Sequence, residues 1–137
     1  MQGSKHLKKR SMHKVFVYGT LKTGNDVRGL NSMGINAIPH GIAYTEYPDY
    51  NMIDLGAFPA VTMNGQYKIK GEVWEVDDEG LEMLDAIEGY PDFYSRTPTP
   101  TTQGKAWMYF LDPKKYGGES PEESPQITIE KNTLIWN

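Results

Sequence analysis

The spacing of apolar residues changes period along this chain, and the changes mark out its elements. Val15-Phe16-Val17-Tyr18 is an unbroken apolar run rich in β-branched and aromatic residues, which predicts a strand buried on both faces. Gly19 stops it, and Thr20-Leu21-Lys22-Thr23-Gly24 follows as a polar loop. Residues 26–33 place Val27, Leu30 and Met33 on one side of a short helix, capped by Asn25 or Asp26 and ended by Gly34. Residues 41–47 alternate apolar with polar and predict a strand, residues 48–51 a turn, and residues 52–55 another short strand. Asn64-Gly65, the pair favoured where a tight turn needs two positive φ angles, sits between residues 60–63 and 66–69 and predicts a β-hairpin. Residues 70–76 continue the β pattern with Val73 and Trp74 on opposite faces, as in a central or barrel strand.

At Asp77 the period becomes helical. Asp77 or Asp78 caps a helix with Glu79 in its first turn, and Leu81, Leu84, Asp85 and Glu88 fall on one face, flanked by Met83 and Ile87. Gly89 suits the position just past the helix, and Pro91 blocks continuation. Residues 94–102 and 106–111 predict two more strands, residues 117–125 an exposed loop, and residues 127–130 and 133–136 a closing hairpin across Lys131-Asn132. Many short strands with one clear helix predict an α+β fold: a small, mostly antiparallel β-barrel flanked by short helices. There is no internal repeat. The expected organisation is a basic, disordered head over residues 1–13 and a single domain over residues 14–137.

Composition narrows the chemistry. The 137 residues include no cysteine, which excludes disulfides and thiolate catalysis and argues against a structural zinc site. Residues 1–14 carry five basic side chains and no acid, whereas residues 15–137 carry nine basic and 18 acidic ones, within a net charge of −4. An acidic body makes nucleic acid an unlikely partner, and the Lys-rich head reads as solvated. No apolar stretch is long enough to span a membrane and none follows the basic N-terminus as a signal peptide would, so a cytoplasmic location is expected. His6, His13 and His40 lack ligand spacing and are not expected to bind metal or act in catalysis.

Two features have chemical content. A buried strand that ends in a glycine bend can aim several backbone N–H groups at one point and hold an anion, although an ordinary turn after a core strand has the same sequence. Glu88 shares its helix face with Leu81 and Leu84, and it lies at the helix C-terminus, where the dipole opposes negative charge. Inward placement would raise its pKa into the range of a general base near neutral pH. A rotated helix would leave it a solvated last-turn acid, and the pattern alone does not choose.

Taken together, Tyr18-Gly19-Thr20-Leu21 after Val15-Phe16-Val17, the Gly71-Glu72-Val73 strand leading into the helix, Asp85-x-x-Glu88-Gly89-Tyr90-Pro91 and Tyr94-x-Arg96-Thr97 make the chain resemble the γ-glutamylcyclotransferase-like superfamily. Within it the sequence is most similar to the AIG2-like and γ-glutamylamine cyclotransferase branch, over residues 14–112 or so. The resemblance implies a barrel with a cavity at the end of the first strand. It further implies that Tyr18, Gly19, Thr20 and Leu21 hold a substrate α-carboxylate, that Glu88 is the catalytic base, and that Tyr94 is a pocket tyrosine. Neither a metal nor an organic cofactor is implied, and the partner is a small γ-glutamyl substrate that cyclises to 5-oxoproline. Arg96 either meets a substrate carboxylate or pairs with Asp85 or Asp92, and Tyr109 is a further pocket candidate. Trp74, Trp107 and Trp136 read as structural. The competing function is a non-catalytic module that binds a small carboxylated or anionic ligand in the same cavity.

Overall fold

Val15, Phe16 and Val17 are all buried because the strand that holds them runs between two neighbours. In the computed structural model, which describes residues 11–19 and 29–137, β1 (Met12–Val17) pairs antiparallel with β5 (Lys68–Asp77) and parallel with β7 (Gly104–Phe110). Val15 and Val17 face a core shared with Leu81 and Leu84 of the helix. Phe16 joins Val73, Met108 and Leu134 in a second core. Strand alternation thus explains the unbroken apolar run: each side of β1 has its own interior to fill.

The remaining strands are β2 (Ala37–Tyr44), β3 (Tyr50–Asp54), β4 (Pro59–Met63), β6 (Ser95–Thr101), β8 (Ile127–Glu130) and β9 (Thr133–Trp136). Six of the seven strands in the main sheet follow the order β6-β7-β1-β5-β9-β8, and β2 pairs with β5. The sheet is mixed and curls into a half-barrel. At one end the curl closes, because the Glu46 N–H donates to the Pro100 carbonyl (3.0 Å) and the Thr102 N–H to the Tyr44 carbonyl (2.9 Å), tying the end of β2 to that of β6. Helix α1 (Asp78–Glu88) follows β5 directly, and a short 3-10 turn spans Gly29–Met33. Residues 26–28 of the predicted early helix, with its cap, lie outside the described residues.

α1 forms where the sequence placed it. The Asp77 carboxylate accepts from the Gly80 N–H (2.9 Å), satisfying a donor that the first turn would otherwise leave open. Gly89 ends the helix in the left-handed region at φ 67°, and its N–H donates back to the Ala86 carbonyl (3.3 Å). Leu84 is fully buried, a contribution of about 2 kcal/mol by transfer alone.

Three expectations need correction. The hairpin across Asn64-Gly65 does not form, since β4 pairs with β3 instead, through a turn in which the Leu55 N–H donates to the Phe58 carbonyl (3.0 Å). Asn64 has a positive φ of 64°, but Gly65 serves close approach: an added Cβ would lie 2.1 Å from the Tyr50 carbonyl oxygen. Residues 117–125 are not simply exposed. Glu119 bridges Asp54, and the buried Ser124 hydroxyl donates to the Asp54 carboxylate (2.6 Å). His13, assigned to the head, lies in β1, where it pairs with Asp78. The closing hairpin is present as β8 and β9, with Lys131 at φ 58° in its turn.

Candidate active site

The end of β1, the β3–β4 turn, the last turn of α1 and the segment after it surround a cavity of ≈ 250 Å³. Tyr18 and Gly19 form one side, and Leu84, Ile87 and Glu88 form another. Phe58, Phe93, Tyr94 and Tyr109 supply aromatic walls. An added Cβ on Gly19 would lie 3.0 Å from the ring of Pro59, so glycine lets the exit of β1 and the start of β4 meet over the cavity. Thr20 and Leu21 lie outside the described residues.

Glu88 is half-buried and faces this space. Among the described residues its carboxylate has no hydrogen-bond or ion-pair partner. Burial raises its pKa from the ordinary 4.5 to about 7. At neutral pH such a group is present in both protonation states, as a group that takes up and returns a proton in one reaction cycle must be. The periodicity of α1 had left two rotations open, and the structure has the inward one.

The three tyrosines present rings to the cavity and spend their hydroxyl protons on the protein. Tyr18 donates to the Tyr109 carbonyl (2.7 Å) and accepts from the Val61 N–H (3.0 Å). Tyr94 donates to the Pro59 carbonyl (2.8 Å). Tyr109 donates to Asp85 (2.7 Å). Burial pushes all three phenols up, and the nearby Glu88 charge adds to it, so they stay neutral wherever the protein is folded.

Arg96 belongs to the support rather than to the wall. Its Nε and a terminal nitrogen donate to the two oxygens of Asp85 (2.8 and 3.1 Å), the Asp85 alternative of the sequence reading. Its guanidinium stacks between the rings of Tyr90 (4.5 Å) and Trp107 (4.2 Å). Asp85 therefore receives donors from β6 and β7 one turn before Glu88, and fixes the end of α1 against the sheet. Phe58 and Phe93 are wall residues that sequence reading missed. Phe93 had a local signal, since it falls between the helix-ending Pro91 and Tyr94, but Phe58 comes from a turn whose partner strand was misassigned. No group of three or more His, Cys, Asp or Glu able to hold a metal ion occurs among the described residues, nor does a helix long and apolar enough to cross a membrane.

Comparison with known proteins gives the family. The protein is 36% identical over 99 residues to the γ-glutamylcyclotransferase family protein YtfP of Citrobacter rodentium, covering 70% of this chain and 79% of that one. It is 38% identical over 89 residues to the γ-glutamylaminecyclotransferase of Bos taurus, covering 61% of this chain and 52% of that one. The crystal structure of an AIG2-like protein from Mus musculus superposes with a TM-score of 0.64 at 23% identity, covering 83% and 91% of the two chains, and shares the fold. The family model described as γ-glutamyl cyclotransferase, AIG2-like, matches residues 15–131, from the first buried strand through the site to the final hairpin turn. With the cavity enclosed by that matched region, the chain belongs to the γ-glutamyl cyclotransferase, AIG2-like family.

Proposed function

We propose that this protein converts a γ-glutamyl amine or γ-glutamyl peptide into 5-oxoproline and the free amine, with Glu88 as general base and then general acid. The observation that carries the reading is a carboxyl of pKa about 7, without a partner among the described residues, in a largely apolar cavity it shares with the Gly19 bend. The substrate brings its own nucleophile, the α-amino group, which is protonated at neutral pH. Glu88 removes that proton. The freed amine attacks the side-chain carbonyl carbon and a five-membered ring closes. Glu88 gives its proton to the departing nitrogen as the C–N bond breaks, then takes the second proton from the new ring nitrogen and passes it to the released amine, which leaves as an ammonium.

The chain's part is mainly to fold the substrate. Holding amine and carbonyl in attacking geometry is worth roughly 7–11 kcal/mol in well-oriented intramolecular reactions. Proton transfer by Glu88 adds on the order of 10²–10⁴-fold. The bend beginning at Tyr18 and Gly19 receives the α-carboxylate, and Tyr94 bounds the glutamyl chain by its ring. Arg96, committed to Asp85, acts by holding α1.

Purified protein incubated with γ-glutamyl amides and glutathione is expected to release 5-oxoproline, read by mass spectrometry. Binding of a carboxylated ligand in calorimetry without 5-oxoproline from any substrate would replace this reading with that of a binding module.

A further inference from the structure

Phe58, Phe93 and Tyr116 come from three separate segments and meet beside the cavity. The Phe58 and Phe93 rings lie 6.3 Å apart edge to face, and those of Phe93 and Tyr116 lie 4.8 Å apart. None of the three is fully buried, and Ile87, on the adjoining helix face, is 44% exposed although it lines the cavity. Aromatic and aliphatic surface left open at the wall of a small cavity is surface that a ligand can cover.

We infer that Phe58, Phe93 and Ile87 form the subsite for the released amine, and that this amine carries an uncharged, apolar substituent. The inference rests on the cyclotransferase reading above. The leaving nitrogen must come within hydrogen-bond reach of Glu88 to take its proton. What is attached to that nitrogen must then run along the cavity wall that Glu88 shares, whose partly open apolar side chains among the described residues include Ile87 of the same helix and the Phe58–Phe93 pair. A carboxylate there would lose its hydration among apolar side chains and face the Glu88 charge. An ammonium there would be drawn to the Glu88 carboxylate and hold it ionised, removing the proton that the leaving nitrogen needs.

The test is a homologous series: γ-glutamyl methyl-, ethyl-, propyl- and butylamide, with γ-glutamylglycine and the γ-glutamyl amide of ethylenediamine as charged counterparts. We expect kcat/KM for 5-oxoproline release to rise about fourfold per added methylene. The charged members should fall at least about tenfold below the propylamide, a difference of about 1.4 kcal/mol. Phe93→Ala should bring the butylamide-to-methylamide ratio towards one, and Phe58→Ala, on a turn outside the main sheet, provides the same reading should Phe93→Ala not fold. A flat series, or preference for a charged member, overturns the inference and leaves the cyclotransferase reading intact. Absence of 5-oxoproline from every member overturns both.

Discussion

Replacing Glu88 with Gln should make the protein inactive and, above neutral pH, more stable. The carboxyl is pushed from 4.5 to about 7 by burial, so folding disfavours its charged form. Such a group supports stability fully below about 4.5, and that support is lost as pH rises through about 7. The interval corresponds to roughly 3.4 kcal/mol between neutral and ionised forms. Because the side chain is partly open to solvent, the cost realised at pH 8.5 is smaller, about 1–2 kcal/mol. Glutamine has the shape of the neutral form and no charge to bury. Urea melts of both proteins should coincide near pH 3.5, below the ordinary 4.5, and separate by about 1–2 kcal/mol in favour of Glu88→Gln at pH 8.5, or roughly 2–4 °C in Tm per kcal/mol. Other titrating groups are common to both proteins and cancel in the difference. Over the same range wild-type kcat/KM should fall about tenfold per pH unit below 7 and level above it, while the variant lies on the order of 10²–10⁴-fold below that plateau and lacks the fall. A stability gap independent of pH, or a variant that is weaker at pH 8.5, would show that Glu88 is solvated and would refute the reasoning.

Two further outcomes follow from the same structure. Asp85→Asn leaves the Arg96 guanidinium without its carboxylate and loosens the last turn of α1, so urea melts should show a loss of about 2–3 kcal/mol. Its kcat should also fall although Asp85 contributes no atom to the reaction. Asp54 is buried, and although burial itself opposes ionisation, hydrogen bonds from Ser124, Gly56 and Gln126 hold its pKa below the ordinary 3.8. Its stabilisation is therefore present above about 3.8 and lost as pH falls below that. Ser124→Ala should cost about 1.5–3 kcal/mol at pH 7 in urea melts, a difference that shrinks once Asp54 is protonated near pH 2.

What the sequence revealed was local. Asp77, Leu81, Leu84 and Gly89 each encode their role within a few residues, so α1 and the place of Glu88 on it were legible. The buried half of β1, Val15–Val17, was legible because its two-sided burial leaves no polar position there. The partner of β4 was not, since Asn64-Gly65 carries a turn signal while β4 pairs with β3 and Gly65 passes close to the Tyr50 backbone, contacts that no local pattern announces. Asp54 and Ser124 are 70 positions apart, and nothing in either neighbourhood announces that they meet. Nor does any spacing rule reveal that the hydroxyls of Tyr18, Tyr94 and Tyr109 point into the protein while their rings face the cavity. The aromatic wall at Phe58 and Phe93 was missed for the same reason.

Those three inward-pointing hydroxyls set terms for anyone seeking an inhibitor. A phenol whose hydrogen is already given away can offer a visitor only its flat face or a lone pair. Potency should therefore come from filling the hollow with a neutral, close-fitting skeleton, and donors aimed at the tyrosines would find weaker purchase than their number suggests. Among the described residues of that wall, Glu88 is the side chain left to trade a hydrogen with a guest, and for the reaction proposed above a stable mimic of the half-closed lactam would engage it.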